Sequence, residues 1–225
     1  FAPTRIKDTL GEVVSRAGLR QLHTSESEKF AHVTFFLNGG NNQPFPGEDD
    51  VRVPSPKGIS FDQVPELSLT QVSEQVLLGI QRGYDLIVTN FANGDVIGHT
   101  ANNEAKVRCA SLVDTHLGEV VEAARQAGYV TFVTADHGNL EEMLTSDGAP
   151  HVAHTTNPVE FLVIGPESSP TVKLRGGKLA DVAPTVLSAL GLAQPSAMAG
   201  VSLARALKVQ SASRPVGEAD FLFAA

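Results

Sequence analysis

The chain has 225 residues, enough for one large domain with a sizeable core. Hydrophobic residues make up 42% and charged residues 19%, the profile of an ordinary globular protein. The formal net charge is −8 with no long Lys/Arg run, and the longest apolar stretches are strand-length, which argues against a nucleic-acid backbone or a spanning helix in a membrane as partner.

In chain order, Thr4 to Gly18 predicts an amphipathic helix closed by Gly18. His32–Leu37 is β-branched and aromatic and predicts a strand. Asn38–Pro46 clusters Asn, Gly and Pro and reads as a loop, and Pro54–Pro65 reads as a second irregular stretch. Leu, Val and Ile at helical spacing predict a helix from Leu69 to Arg82, stopped by Gly83. Then an alternation begins: strand Tyr84–Asn90, helix Asn102–Ala127, strand Tyr129–Ala135, strand Pro158–Gly165, helix Leu179–Leu190. Strands apolar on both faces and separated by helices predict an α/β fold, with a mainly parallel sheet covered by helices on both sides. Residues 211–225 read as a loose tail. The first residue is Phe1 rather than Met, so an upstream segment is expected.

The single cysteine, Cys109, cannot make an internal disulfide. It fits a reducing compartment, and a cytoplasmic location is the expectation. On its own it reads as a small buried apolar side chain.

Chemistry concentrates in three short segments. Gly94-Asp95-Val96-Ile97-Gly98-His99 follows one predicted strand, Ala135-Asp136-His137-Gly138-Asn139 follows the next, and His151-Val152-Ala153-His154-Thr155 lies shortly after. In open parallel sheets the ligand crevice lies beyond the carboxyl ends of the strands, so the first two segments are expected on one rim. Taken singly, Asp95 with His99 reads as a surface pair, Asp136-His137 as a turn, and His154 as a satisfied core histidine. Jointly they predict a metal site of mixed oxygen and nitrogen donors, suited to Mn, Co or Zn. Asp95, His99, Asp136, His137 and His154 are too many ligands for one catalytic ion with an open position and too few to complete two. His151 is given a lesser role than His154, either supporting the ligands from outside or contacting substrate. His23, His32 and His116 are read as structural, and Asn93, Asn139 and Asn157 as holding turns. No nucleophile motif surrounds Ser111, Ser146 or Ser188. Lys29 alone reads as a solvated lysine.

Glu28-Lys29-Phe30-Ala31-His32-Val33-Thr34-Phe35-Phe36, Asn90 to Thr100, Thr134 to Glu141, Ala153 to Val159 and Ala180 to Thr185 closely resemble the cofactor-independent phosphoglycerate mutases, of the alkaline-phosphatase-like superfamily. The resemblance runs to about Leu207. It implies interconversion of 3- and 2-phosphoglycerate in glycolysis through a metal-bound phosphoserine, without 2,3-bisphosphoglycerate and with two divalent ions, manganese first and cobalt or zinc as alternatives. It further implies that Asp95, His99 and His154 hold one ion, that Asp136 and His137 hold the other, and that Lys29 lies near the substrate phosphate. The implied partner is a small phosphorylated substrate, with neither nucleic acid nor membrane involved, and the full-length protein is expected to be a monomer.

Two departures stand out. The family's nucleophilic serine and a further aspartate ligand belong to an N-terminal segment, followed by an inserted transferase domain, and neither appears here. Residues 1–225 are therefore expected to form the C-terminal part of an incomplete phosphatase domain, inactive alone unless complemented. Asp50 stands where the family pattern usually has a basic residue. The alternatives are another metal-dependent phosphatase or phosphomutase of the superfamily, or an inert metal-binding fragment.

Overall fold

A computed structural model describes residues 6–166, 172–204 and the backbone of 221–224. Six strands form one sheet in the order β2-β1-β3-β6-β4-β5: β1 (Gln21–Glu26), β2 (Glu48–Val53), β3 (Leu86–Asn90), β4 (Val130–Thr134), β5 (Phe161–Ile164) and β6 (Phe221–Ala224). All neighbours run parallel except the edge strand β5, which is antiparallel to β4.

Alternation along the strands sorts the core into two layers. Leu86, Val88, Val130 and Phe132 face α1 (Leu10–Arg16) and α5 (Val182–Ala189), where Val14, Val186 and Leu187 are wholly buried. Ile87 and Leu22 face the opposite way, toward Val76 and Ile80 of α2 (Leu69–Gln81) and Val120 and Ala124 of α4 (Asn103–Gln126). Helices thus cover both faces, as expected of a sheet whose strands are apolar on both sides. The Asn102 side chain caps α4 by accepting from the Ala105 N–H at 3.1 Å.

The helices predicted from Leu69 and Asn102 and the strands predicted at Tyr84 and Tyr129 form within a residue or two of their expected bounds. The Leu179–Leu190 prediction resolves into a 3-10 turn, Leu179–Asp181, running into α5. The first helix is shorter than predicted and starts at Leu10, with Thr9 as its cap.

The strand predicted at His32–Leu37 is a correction: His32–Phe36 forms a single π-helical turn. A strand inside a covered parallel sheet is buried on both faces, but here only Val33 and Thr34 are buried while His32 and Phe36 are exposed. Thr34 Oγ1 donates to the Phe30 carbonyl at 2.7 Å, closing the turn, and Gly39 and Gly40 follow with positive φ. The sheet position belongs instead to Gln21–Glu26, which is polar yet buried along its whole length. Two of its hydroxyls pair across the sheet: Thr24 Oγ1 donates to the Val51 carbonyl, and Ser25 Oγ to the Asn90 carbonyl, each at 2.9 Å. The expected loose tail is corrected at its end, since Phe221–Ala224 forms β6 between β3 and β4; 211–220 lie outside the described residues.

Candidate metal centre

β3 and β4 end on the same rim. After β3 the chain turns at once into α3 (Asn93–Gly98), which places Asp95 in its first turn and His99 at its C-cap. After β4, Asp136 and His137 follow two and three residues beyond Thr134. The loop that follows folds back, with Gly138 and Thr155 bridged through a 2.9 Å hydrogen bond, and so returns His154 to the same place.

Three donor atoms converge. Asp95 Oδ1 lies 3.0 Å from His99 Nε2 and 2.8 Å from His154 Nε2, and the two imidazole nitrogens are 3.0 Å apart. His99 Nδ1 lies 2.9 Å from the Val152 carbonyl, which can only accept, so Nδ1 carries the hydrogen. In the neutral ring, Nε2 is then a lone pair aimed at a carboxylate oxygen. Two donors bound at about 2.0–2.1 Å to one tetrahedral ion lie roughly 3.3 Å apart, so the triangle fits a divalent cation. The Val152 carbonyl plays the part such acceptors play around metal-bound histidines, fixing tautomer and ring orientation.

Asp136 and His137 sit beside this triangle. His137 Nε2 is 3.9 Å from Asp95 Oδ1 and 3.5 Å from Asp136 Oδ1. The His137 ring stacks on His154 with centroids 3.7 Å apart, and the Asp136 side chain is 57% exposed. All five predicted ligands therefore share one rim, but only Asp95, His99 and His154 close on a common point.

Lys29 is not a solvated surface lysine. Its side chain is 12% exposed and its ammonium pairs with Asp95 Oδ2. Burial alone would raise the Asp95 carboxyl, but the ammonium of Lys29 and the imidazoles of His154 and His99 outweigh it and hold the group well below the usual carboxylate range. Lys29, Asp95, Asp136 and His137 line one cleft of ≈ 460 Å³.

Further side chains, in the loop after β4 and on α4, hold the cluster in place. Asn139, read as a turn residue, donates through Nδ2 to Asp95 Oδ1 at 3.1 Å. Glu141 accepts from the Thr155 hydroxyl, from Asn157 Nδ2 at 3.0 Å and from the Asn139 N–H at 2.6 Å, which ties the two arms of the loop together. Burial pushes the Glu141 carboxyl up, yet these hydrogen bonds prevail and bring it to about 2. Lys106 of α4 is 2% exposed and donates to the His151 carbonyl, so a buried cation props the strand of loop carrying His154. The His-Val-Ala-His spacing alone could not have indicated Lys106, 45 residues upstream. Asn93 holds the preceding loop as expected, donating to the Pro65 and Glu66 carbonyls.

The chain resembles known proteins along most of its length. It is 50% identical over 205 residues to the 2,3-bisphosphoglycerate-independent phosphoglycerate mutase of Syntrophotalea carbinolica, which covers 90% of this chain and 40% of that protein. It is 47% identical over 205 residues to 2,3-bisphosphoglycerate-independent phosphoglycerate mutase 2 of Methanosarcina barkeri, 90% of this chain and 39% of the relative. A crystal structure of Leishmania mexicana phosphoglycerate mutase at low cobalt concentration superposes with a TM-score of 0.79 at 29% identity, covering 87% of this chain and 39% of that one. The chain thus spans about 40% of the length of the curated relatives it matches. The family profile of the metalloenzyme superfamily matches residues 1–194. With a donor triangle fit for a divalent cation on the rim of an α/β sheet, the chain belongs to the metalloenzyme superfamily.

Proposed function

We propose that this chain is the metal-binding portion of a 2,3-bisphosphoglycerate-independent phosphoglycerate mutase that interconverts 3- and 2-phosphoglycerate. The observation that carries the reading is the convergence of Asp95, His99 and His154 beside Lys29, on a chain 50% identical to a mutase of that name. Asp95, His99 and His154 would hold one divalent ion, and Asp136 and His137 would supply ligands to a second, with manganese the first choice. Bound there, such ions neutralise phosphoryl charge and lower the pKa of a nucleophilic hydroxyl.

The residues of this chain do the positioning. Asn139 and Lys29 orient the two oxygens of Asp95 separately, so Oδ1 faces the imidazoles while Oδ2 faces the ammonium. Lys29 lines the cleft and would pair there with a phosphate oxygen of the substrate. The serine that receives the phosphoryl group would come from a segment outside these residues. A cytoplasmic location and a monomeric full-length protein accompany this reading; among the described residues no helix is long and apolar enough to cross a membrane.

The test is formation of 2-phosphoglycerate from 3-phosphoglycerate with Mn²⁺ and no bisphosphoglycerate. It should be run on the chain alone and on a chimera in which it replaces the matching C-terminal part of the Syntrophotalea mutase. Chelator-sensitive activity of the chimera is expected. A folded chimera that hydrolyses an aryl phosphate but makes no 2-phosphoglycerate would replace this reading with that of a superfamily phosphatase.

A further inference from the structure

A second group of ligand-type side chains lies on the edge pair of the sheet and shares no residue with the rim cluster. β1 and β2 run parallel with His23 opposite Asp50, and Glu48, two residues before Asp50, points to the same face of β2. The side chains of His23 and Glu48 are wholly buried, while that of Asp50 keeps 23% exposure. His23 Nδ1 lies 3.2 Å from Glu48 Oε1 and 4.0 Å from Asp50 Oδ1, and the three donor atoms fall within 4.8 Å of one another.

The neighbours fix which nitrogen faces the carboxylates. Gln21 Nε2 donates to the Gly11 carbonyl at 2.8 Å, so its amide oxygen is the end turned toward His23. That oxygen, 3.1 Å from His23 Nε2, can only accept, and Nε2 therefore carries the hydrogen. Nδ1 of the neutral ring is then a buried lone pair without a hydrogen bond, facing two carboxylates. Such a place is unfavourable unless a positive charge stands in it.

The carboxylate is held as firmly as the ring. Glu48 Oε1 accepts from Asn38 Nδ2 at 2.6 Å, and Oε2 from the Phe45 N–H at 3.0 Å. Hydrogen bonds of this kind set the tautomer and orientation of metal ligands from outside. Nδ1 stands 3.2 Å from Glu48 Oε1 without an aligned hydrogen bond. The 3.2 Å separation instead suits two donors on one ion, which stand about 3.3 Å apart in a tetrahedral site. The exposed side of Asp50 leaves an entry path and room for water as a further ligand.

We propose that His23, Glu48 and Asp50 form a divalent-cation site of zinc type that clamps the edge strand β2 onto β1. The proposal is independent of the mutase reading.

Zinc is the probe. In a chain carrying Asp95→Asn and His154→Gln, which removes two of the three convergent rim donors, dialysis against Zn²⁺ followed by metal analysis should leave about one zinc per chain. The melting temperature should rise with zinc. Adding His23→Gln should abolish both, and adding Asp50→Asn should weaken both. Absence of zinc in the parent double variant, or full retention after His23→Gln, would overturn the site. If His23→Gln fails to fold by circular dichroism, the Asp50→Asn variant and the ¹⁵N shift of His23 in the folded parent decide. Movement of the Nδ1 resonance on zinc addition supports the site. A protonated Nδ1 that ignores zinc overturns it and assigns the positive charge to a proton.

Discussion

The ammonium of Lys29 is ion-paired with Asp95 Oδ2, although 66 residues separate them in the chain and the other oxygen of the same carboxylate faces two imidazoles. One carboxylate thus serves a permanent cation on one side and a place for an exchangeable cation on the other. Lys29 and a bound ion repel one another across it. Lys29→Met should therefore tighten binding of Mn²⁺ to the rim by about tenfold, a change of roughly 1.4 kcal/mol. Titration calorimetry of the two chains measures this, and weaker binding in the variant would show that Lys29 organises Asp95 more than it competes.

Ligand removal separates the residues that close on one point from those beside it. His99→Ala and Asp136→Ala should each lower the metal content of protein purified with Mn²⁺. Unchanged metal in both would remove the ligand assignment. Loss in His99→Ala alone would restrict the chain to the site at Asp95, where the donor atoms already lie within 3.0 Å of one another.

Gly98 carries no positive φ, yet a side chain there has no room. A Cβ at this position would overlap the amide of Asn139, the group that donates to Asp95 Oδ1. Gly98→Ala is expected to destabilise the fold by about 1–3 kcal/mol and to weaken Mn²⁺ binding as Asn139 is displaced. Urea unfolding with and without the metal checks both parts, and wild-type values for both would refute the packing argument.

Cys109 is wholly buried among Leu67, Ile97 and Ala105, and burial alone pushes its thiol from 9.0 up to about 12. At pH 8 the folded chain should resist a thiol reagent that modifies the unfolded chain readily. The sign of the pH effect follows from the raised value. The stability gained by keeping the thiol neutral is complete below about pH 9 and declines as pH climbs toward 12, because the unfolded thiol ionises first. The difference in stability between wild type and Cys109→Ala, measured across that range, should narrow with rising pH. A constant difference would argue against the assignment.

The sequence by itself determined the layered α/β fold and pointed to the ligand-type side chains that the fold gathers on one rim. Leu86–Asn90 and Val130–Thr134 are legible because they are mostly apolar on both faces, as strands of a covered parallel sheet usually are, and α2 and α4 because their apolar residues recur at helical spacing. Ligand types at strand ends marked Asp95, His99, Asp136, His137 and His154, since parallel strands deliver their carboxyl ends to one rim. Tertiary structure alone decided the rest. β1 is hidden from the sequence because Gln21, His23, Thr24 and Ser25 are polar, and Thr24 and Ser25 find their acceptors in the core only at Val51 and Asn90, far along the chain. His32–Phe36 has the composition of a strand but becomes a π-helical turn, because β1 already fills the place in the sheet beside β3. The pairing of Lys29 with Asp95, the support of His151 by Lys106, and the meeting of His23 with Glu48 and Asp50 all join residues distant in sequence. Local propensity and spacing carry no information about such contacts; packing, burial and charge pairing in three dimensions do.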